Sequence, residues 1–181
     1  MGRRRAALWL LVLVGLGAAG IVAADGLQIG RTEPALVAAP ERADRVVVEK
    51  GARRLTLLRE GRVLATYPVS LGFTPLGHKT RAGDGRTPEG TYAIAYRNPK
   101  SVAHLSLKVS YPSPADEAAA RSRGEPPGGD IMIHGLMRGF SWVGPLHRMM
   151  DWTQGCVGVT NAEMRAIYAR VDVGTPIEIR P

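Results

Sequence analysis

Residues 45–71, RVVVEKGARRLTLLREGRVLATYPVSL, decide the fold class of this chain. A valine-rich run at Arg45–Glu49 leads to Leu55 and Leu57, which alternate with polar neighbours, and Glu60-Gly61 then forms a turn. After the turn, apolar residues recur at every second position, which is the period of a strand that buries one face. These residues are Val63, Ala65, Tyr67, Val69 and Leu71. The stretch therefore predicts the start of a β-meander.

Later segments repeat this period of two. Tyr92, Ile94 and Tyr96 predict another strand, approached through the turn-rich stretch Gly85–Gly90. Ile177 and Ile179 predict a closing strand near the end of the chain. A further alternation is formed by Leu105, Leu107, Val109 and Tyr111. Because side chains alternate across a strand, we expect the intervening residues on an opposite, polar face: His104, Ser106, Lys108 and Ser110.

Two segments have helical patterns instead. Ala115–Arg121 is short and rich in alanine, whereas a stronger helix begins at Thr160, which forms a capping-box pattern with Glu163. Its apolar stripe has helical spacing and consists of Met164, Ile167, Tyr168 and Val171. The chain shows no βαβ alternation and no internal repeat. We therefore predict a single, mostly β domain at residues 44–181, with one or two flanking helices.

The N-terminus has the pattern of an export signal. Arg3, Arg4 and Arg5 precede an uncharged apolar stretch at residues 6–24. That stretch is also just long enough to span a bilayer, so a cleaved signal peptide and a membrane anchor both stay open. We expect residues 1–24 to be that signal or anchor and residues 25–43 to be a linker. The arginines would hold the N-terminus in the cytoplasm and place the domain in the periplasm or cell envelope.

The positive charge of the chain is diffuse. The formal net charge is +8, and the three N-terminal arginines contribute to it. The other basic residues are widely spread. A diffuse charge on an exported domain argues against nucleic acid as a partner. It suits an anionic polymer or carboxylate-bearing peptides, although ordinary solubility explains it equally well. We expect contact with a membrane only through the N-terminal segment.

Cys156 is the only cysteine, and it lies in the glycine-rich stretch Thr153–Val159. A lone thiol in an oxidising compartment has no intramolecular disulfide partner, which leaves reactivity, burial or pairing with another chain. His134-Gly135 follows an apolar run, Ile131–Ile133, about twenty residues upstream. A thiol and a histidine that meet in space are the minimum equipment for a cysteine nucleophile and its base. The N–H groups of Gly155 and Cys156 are candidates for an oxyanion hole.

The segment between these motifs, Leu136–Asp151, is too long for a plain hairpin and predicts a loop or lid over the site. Among the other histidines, we expect His78 and His147 to be exposed polar residues, and His104 to line the groove. A zinc site that uses Cys156 is disfavoured, because no C-x-x-C or H-x-x-H spacing supports it. The stretch around Cys156 also resembles the caspase Q-A-C-x-G pattern, but it differs in histidine spacing, architecture and export.

A wider set of motifs resembles the L,D-transpeptidase (YkuD-type) catalytic domain. His134-Gly135 followed by Thr153-Gln154-Gly155-Cys156-Val157 is similar to the H-G … [S/T]-x-G-C-[V/I] signature of that family. Other matching stretches are Gly83–Gly90, His104–Leu107, Ser110–Pro112, Gly128–Gly135 and Gly174–Ile179. The set is most similar to the murein L,D-transpeptidase subgroup of Gram-negative bacteria. The resemblance implies a β-sandwich-like domain that acts on peptidoglycan stem peptides through a cysteine acyl-enzyme, with no metal and no cofactor.

The resemblance also implies roles for individual residues. Cys156 would be the nucleophile, His134 the general base, and the backbone carbonyl of Gly135 would orient the imidazole. The pocket beside the nucleophile would be shaped by Thr153, Gln154 and Gly155. We expect the substrate groove to be lined by His104, Ser106, Trp142 and Trp152.

Two departures from the family pattern affect substrate recognition. Many members have histidine where this chain has Gln154, and arginine where it has Gly158. An arginine there could hold a substrate carboxylate, so its absence affects recognition of the donor or acceptor but leaves the nucleophile and base intact.

The first half-reaction leaves several outcomes open. An amine acceptor on a neighbouring stem gives a cross-link, a lipoprotein lysine gives an anchor, and water gives hydrolysis. A non-catalytic wall-binding module is an alternative that the intact His134, Gly135, Gly155 and Cys156 argue against. A thiol redox protein is disfavoured because a resolving cysteine is lacking.

Overall fold

Residues 33–181 are described by a computed structural model of the chain. The predicted signal or anchor at residues 1–24 and the first part of the predicted linker lie outside the described residues. In residues 33–181, no helix combines the length and apolar character needed to cross a membrane.

The meander predicted from residues 45–71 is present. It consists of β1 (Arg45–Glu49), β2 (Arg54–Arg59) and β3 (Arg62–Pro68), and each successive pair is antiparallel. Valines 46 and 48 on β1 and Leu55 and Leu57 on β2 are fully buried. This buried face begins the core of the domain.

Five more strands complete a mostly β fold, as predicted. They are β4 (Gly90–Asn98), β5 (Ser106–Val109), β6 (Met132–His134), β7 (Val157–Gly158) and β8 (Pro176–Arg180). All eight strands form one sheet in the order β3-β2-β1-β8-β4-β5-β6-β7. The predicted closing strand, β8, therefore lies in the middle of the sheet, parallel to β1 and antiparallel to β4.

Two irregularities in the register correct the predicted faces. The register of β2 and β3 shifts between Leu57 and Leu58, so that Leu64 packs against the core and Val63 is 63% exposed. A second shift in β4, between Ile94 and Tyr96, leaves Tyr96 55% exposed. A bulge adds one residue to one strand and reverses the face of every residue beyond it. The predictions that Val63 and Tyr96 share the faces of their strands are therefore wrong.

The sheet is curled so that its two ends meet. The strand order begins with β3 and ends with β7, and isolated bridges join Ser70 to Gly158 and Gly72 to Thr153. Ser70 and Gly158 exchange two backbone hydrogen bonds of 2.9 and 2.8 Å. This contact between the ends of the sheet is called the seam below. The core lies inside the curl.

Two α-helices flank the sheet: α1 (Pro114–Ser122) and α2 (Asn161–Tyr168). The predicted capping box at the start of α2 is present, because Thr160 and Glu163 each bind the backbone N–H of the other. Met164, Ile167 and Tyr168 on α2 are fully buried, and α2 packs against β5 and β6.

The described part of the predicted linker packs on the domain. Residues 39–41 form a short 3-10 turn, and the N–H groups of Val37 and Ala43 donate to the carbonyls of Ala169 and Arg170. Ala43 is buried, because it joins the apolar core cluster next to α2.

Candidate active site

The strand pair β6–β7 brings His134 and Cys156 together. These strands are parallel, with Ile133 opposite Val157 and His134 opposite Gly158. Ile133 and Val157 are both fully buried and face the core. Because side chains alternate, His134 at the end of β6 and Cys156 immediately before β7 share the other face. Sequence positions that are far apart thus converge through the sheet.

One nitrogen of the His134 ring is fixed by the backbone. His134 Nδ1 lies 2.6 Å from the carbonyl oxygen of Gly135, the contact that the resemblance implies. A carbonyl oxygen only accepts, so Nδ1 carries the proton and donates it to this bond. The other nitrogen, Nε2, is then the basic atom of the neutral ring. This tautomer suits a base that accepts a proton at Nε2.

Gly135 is tightly packed, and a residue not identified from the sequence explains why. A Cβ at position 135 would lie 2.6 Å from Asn161 Oδ1 and 3.2 Å from the carbonyl oxygen of Ala103. Asn161 Oδ1 accepts a hydrogen bond of 2.8 Å from the N–H of Leu136. Asn161, the first residue of α2, therefore holds the turn that follows His134.

The turn Thr153–Cys156 is closed by the Thr153 side chain. Thr153 Oγ1 donates to the carbonyl of Cys156 at 2.8 Å and accepts from the N–H of Gly155 at 3.1 Å. Gly155 has φ of +127°, and a Cβ there would lie 2.5 Å from the carbonyl oxygen of Arg86. Both the backbone conformation and the space require glycine at this position.

The hydrogen bond from Gly155 changes the predicted oxyanion hole. Because the Gly155 N–H donates to Thr153 Oγ1, it is engaged within the turn and does not point freely at a substrate. The N–H of Cys156 remains the candidate oxyanion donor of the two that were predicted.

The loop at residues 79–86, before β4, packs against the turn that carries the nucleophile. The Arg86 carbonyl against Gly155 belongs to this loop, and Asp84 organises it by accepting hydrogen bonds from Lys79 Nζ and from the N–H groups of Thr80 and Arg86. Lys79 and Asp84 form a buried ion pair of 2.8 Å. The positive charge of Lys79 acts on Cys156 and favours its thiolate.

Burial dominates the electrostatics of both reacting groups. It raises the pKa of the Cys156 thiol, with a smaller effect in the same direction from the Asp130 carboxylate, against a backbone hydrogen bond from Met132 and the charge of Lys79. Burial also lowers the pKa of His134, which the bond to Gly135 only partly offsets. Both shifts favour the uncharged forms of the two groups, the thiol and the neutral imidazole. The thiol lies 3.5 Å from the carbonyl oxygen of Asp130.

The other residues predicted for the groove are placed differently from one another. Trp142 is 59% exposed, Gln154 is exposed, and His104 is partly buried with a positive φ of 70°. Ser106 is fully buried, opposite His134 in the β5–β6 pair, so the prediction that it belongs to an open polar face is wrong. β5 is covered on both sides at this point, because α2 packs against it.

The prediction that His147 is an exposed residue is also wrong. Only 7% of His147 is exposed, and its ring contacts that of Trp152. His78 is partly exposed and binds Asp116 Oδ1 through Nε2 at 3.1 Å. His78 therefore lies beside the first turn of α1, away from the β6–β7 site. Within residues 33–181, no three histidine, cysteine or acidic side chains are grouped as a metal would require.

The predicted loop or lid contains 3-10 structure that is docked on the domain. Its 3-10 segment spans Ser141–Met149 with a kink at Gly144. Arg148 binds both carboxylate oxygens of Glu163, at 2.5 and 2.6 Å. Asp151, at the end of the loop, accepts from the N–H of Leu71 and pairs with Arg53. The end of the loop thus connects the docked 3-10 segment to the turn that carries Cys156.

Solved structures show the same fold in bacterial proteins. The chain is similar to the helical cell shape determining protein Pgp2 from Campylobacter jejuni (K307A mutant), with 22% identity, a TM-score of 0.57, and coverage of 84% of this chain and 51% of that one. It is also similar to an L,D-transpeptidase from Mycobacterium smegmatis, with 17% identity, a TM-score of 0.51, and coverage of 76% and 58%. For Bd1075 from Bdellovibrio bacteriovorus, identity is 22%, the TM-score is 0.51, and coverage is 80% and 50%.

The chain spans about half the length of these structures. Comparison with curated protein sequences found no match. The model of the L,D-transpeptidase catalytic domain, YkuD, matches residues 43–179, which include β1–β7, all but the last residue of β8, and the β6–β7 site. From the extent of that match, the chain belongs to the L,D-transpeptidase catalytic domain family.

Proposed function

We propose that this protein is a peptidoglycan-modifying acyl-transferase in which Cys156 forms a thioester with a stem peptide. The observation that carries the proposal is the placement of Cys156 and His134 on one face of the β6–β7 pair, with His134 Nδ1 bound to Gly135. That bond leaves Nε2 as the basic atom on the ring. Membership of the L,D-transpeptidase family supplies the substrate class.

The proposed reaction has two steps. Nε2 of His134 takes the Cys156 proton as the sulfur attacks a stem-peptide carbonyl at an L,D junction, and the N–H of Cys156 binds the developing oxyanion. The imidazolium then gives its proton to the leaving amino group of the D-amino acid as the C–N bond breaks. In the second step His134 takes a proton from an incoming amine as the amine attacks the thioester. The imidazolium returns that proton to the sulfur as the C–S bond breaks.

The uncharged resting pair fits this sequence. Because burial favours the thiol and the neutral imidazole, the charges form only as the substrate carbonyl is attacked. A general base that works this way contributes a factor on the order of 10²–10⁴ to the rate.

The test is incubation of peptidoglycan sacculi with the domain, followed by mass spectrometry of the muropeptides and of the intact protein. We expect Cys156→Ala to abolish both the acyl-enzyme and the product, and His134→Ala to reduce the rate by a factor on the order of 10²–10⁴. His78→Gln is the matched control, because His78 is a histidine of the α1 region outside the site. Full activity of Cys156→Ala would show that the nucleophile is another residue.

The same spectra separate the second half-reactions. A new cross-link indicates an amine of a neighbouring stem as acceptor, and a shortened stem indicates water. A peptide adduct in the presence of an envelope lipoprotein indicates its lysine. Unchanged sacculi, bound but not modified, would identify a wall-binding module.

We also propose that the N-terminal segment exports the domain to the periplasm or cell envelope. The support is the sequence pattern, in which three arginines precede the apolar stretch 6–24. A reporter fused after Pro181 should be active outside the cytoplasm, and a fusion lacking residues 1–24 should not be. Cytoplasmic activity of the full-length fusion would contradict export and the peptidoglycan substrate together.

A further inference from the structure

A tryptophan packs against the imidazole of the general base. The rings of Trp152 and His134 meet edge to face, with centroids 5.6 Å apart and an interplanar angle of 76°. Trp152 immediately precedes Thr153, so it belongs to the same turn as Cys156. The indole thus contacts the base from the segment that carries the nucleophile.

The indole is itself held by a buried histidine. Trp152 Nε1 donates to His147 Nδ1 at 3.3 Å, and the two rings are nearly perpendicular. An indole N–H only donates, so His147 Nδ1 is the acceptor in this bond. Burial lowers the pKa of His147, and the charge of Arg148 lowers it further. The charged groups and histidines that act on His147 are Arg148, Glu163 and His134.

His147 is in turn fixed to the seam. Ser70 Oγ lies 3.0 Å from His147 Nδ1 and 3.1 Å from the His147 carbonyl oxygen. Ser70 is buried, and its backbone pairs with Gly158 on β7. The 3-10 segment, the seam and the indole therefore form one hydrogen-bonded assembly.

Gly158 leaves the space that the indole occupies. A Cβ at position 158 would lie 3.1 Å from Cζ2 and 3.6 Å from Cε2 of Trp152. A contact of 3.1 Å is tighter than a packed side chain normally makes, so the ring would have to shift. Because Gly158 is opposite His134 across the β6–β7 pair, such a shift would move the indole relative to the imidazole.

We infer that Trp152 is a positioning residue, held by His147 and accommodated by Gly158, that keeps the His134 imidazole aligned with Cys156. The inference rests on the proposed role of His134 as general base. The Nδ1 bond to Gly135 fixes the tautomer but is a single contact near one edge of the ring. The indole provides a second contact to the imidazole. This contact restricts the tilt that would carry Nε2 away from the sulfur. An edge-to-face contact of this kind is a favoured geometry for a pair of rings.

The experiment measures alkylation of Cys156 by iodoacetamide from pH 5 to pH 10, read by intact mass, on the full chain and its variants. At neutral pH the thiol needs His134 to remove its proton, whereas at the alkaline end hydroxide does so without help. We expect Trp152→Ala to slow alkylation at pH 7 by about tenfold, a part of what a positioned base is worth. The loss should shrink towards the alkaline end.

Three variants separate positioning from packing. Trp152→Phe keeps a ring but loses the bond to His147, so its rate at pH 7 should lie between those of the wild type and Trp152→Ala. Gly158→Ala should shift the indole and reproduce part of the defect with Trp152 intact. Phe140→Ala removes an exposed aromatic side chain of the same loop and should match the wild type.

A double-mutant cycle completes the test. If Trp152 acts through His134, adding Trp152→Ala to His134→Ala should cause no further loss at pH 7. A Trp152→Ala variant with a wild-type pH profile, or with an equal loss at every pH, would overturn the inference. If Trp152→Ala does not fold, Trp152→Phe and Gly158→Ala decide by the same profile. Alkylation needs no sacculi, so it tests the role of Trp152 independently of the proposed acyl transfer. A failure of acyl transfer would appear only in the sacculus experiment.

Discussion

At the residue scale, burial shifts the pKa values of Cys156 and His134 in opposite directions and away from an ion pair. Many reactive thiols are thiolates at rest because a nearby positive charge stabilises them. Here the Lys79 charge and the Met132 hydrogen bond favour the thiolate but do not outweigh burial. In the proposed mechanism, the sulfur therefore becomes strongly nucleophilic only as His134 removes its proton.

This arrangement predicts the pH dependence of thiol reactivity in the wild type. Because the His134 pKa is lowered, the imidazole stays available as a base until the pH falls below the usual imidazole value near 6.5. Because the Cys156 pKa is raised, unassisted ionisation begins only above the usual thiol range. The alkylation rate should therefore have an assisted region near neutral pH and a second rise at alkaline pH, with apparent pKa values that belong to the pair.

His134→Ala should remove the assisted region and keep the alkaline rise. The measurement is the second-order rate of alkylation against pH for both proteins. A flat maximal rate in the wild type down to pH 5 would indicate a preformed thiolate and contradict the uncharged resting pair.

Among single residues, the sequence favours candidates whose chemistry is distinctive. Cys156 and His134 could be chosen as candidates because a lone thiol and a histidine in glycine-flanked motifs are seldom needed for packing alone. Asn161, Ser70 and His147 could not, because their contacts join positions separated by 25 to 77 residues. His147 in particular looks like any polar residue of a loop, and its burial depends on where that loop docks.

At the element scale, one carboxylate serves two elements at once. Glu163 caps α2 through Thr160 and also binds Arg148 of the 3-10 segment. Burial opposes its ionisation, but hydrogen bonds from Thr160 and Arg148 lower the pKa of Glu163 overall. The capping motif was visible in the sequence, whereas the bond to Arg148 was not.

A pair of matched helix caps tests this double role. Thr160→Ala and Ser113→Ala remove equivalent capping boxes at the starts of α2 and α1, and each should lower the free energy of unfolding by about 1 kcal/mol. Chemical denaturation measures that loss. Glu163→Gln keeps a side chain able to cap but removes the charge that binds Arg148.

Of these variants, Glu163→Gln should reduce turnover on sacculi, because it loosens the segment that presents His147 to Trp152. Ser113→Ala should leave turnover unchanged. Equal turnover in both would show that the 3-10 segment needs no support from α2.

The strand faces illustrate why periodicity predicts an element better than its orientation. Alternation at residues 63–71 and 92–96 correctly indicated strands, but bulges reversed the faces at Val63 and Tyr96. A bulge depends on the neighbouring strand, which a single stretch of sequence does not reveal.

At the scale of the whole molecule, the loop at residues 79–86 depends on the buried ion pair between Lys79 and Asp84. Burial opposes ionisation of Asp84, but hydrogen bonds from Lys79 and from the backbone of Thr80, Arg86 and Arg81 outweigh it and lower the pKa of Asp84 to about 2. A carboxyl whose pKa is lower in the folded state stabilises the fold above its unfolded value near 3.9. That contribution is lost as the pH falls from about 4 towards 2.

Asp84→Asn should therefore destabilise the domain at neutral pH by about 3 kcal/mol, because it leaves the Lys79 ammonium buried without its partner. Thermal unfolding from pH 2 to pH 7 measures the effect, and the difference from the wild type should narrow at the acidic end. Arg54→Gln, which breaks an exposed pair with Glu49, should cost less than about 1 kcal/mol. An equal cost for the two variants would mean that the buried pair has no special weight.

The mostly β architecture and its two helices followed from local patterns, but the order of strands did not. Nothing in residues 176–180 distinguishes an edge strand from a central one except their apolar alternation. The position of β8 is set by its pairing with β1 and β4. The residues that pair are more than 80 positions apart along the chain.

That position has a consequence for biogenesis. β8 follows the other seven described strands along the chain, yet it is the one that joins β1–β3 to β4–β7. Until it arrives, each half has an unpaired edge, and neither the seam nor the surroundings of Cys156 are complete. The domain therefore cannot acquire its native topology before β8 has been synthesised and has paired. Cys156 likewise gains its native surroundings only after β8 has joined the two halves of the sheet.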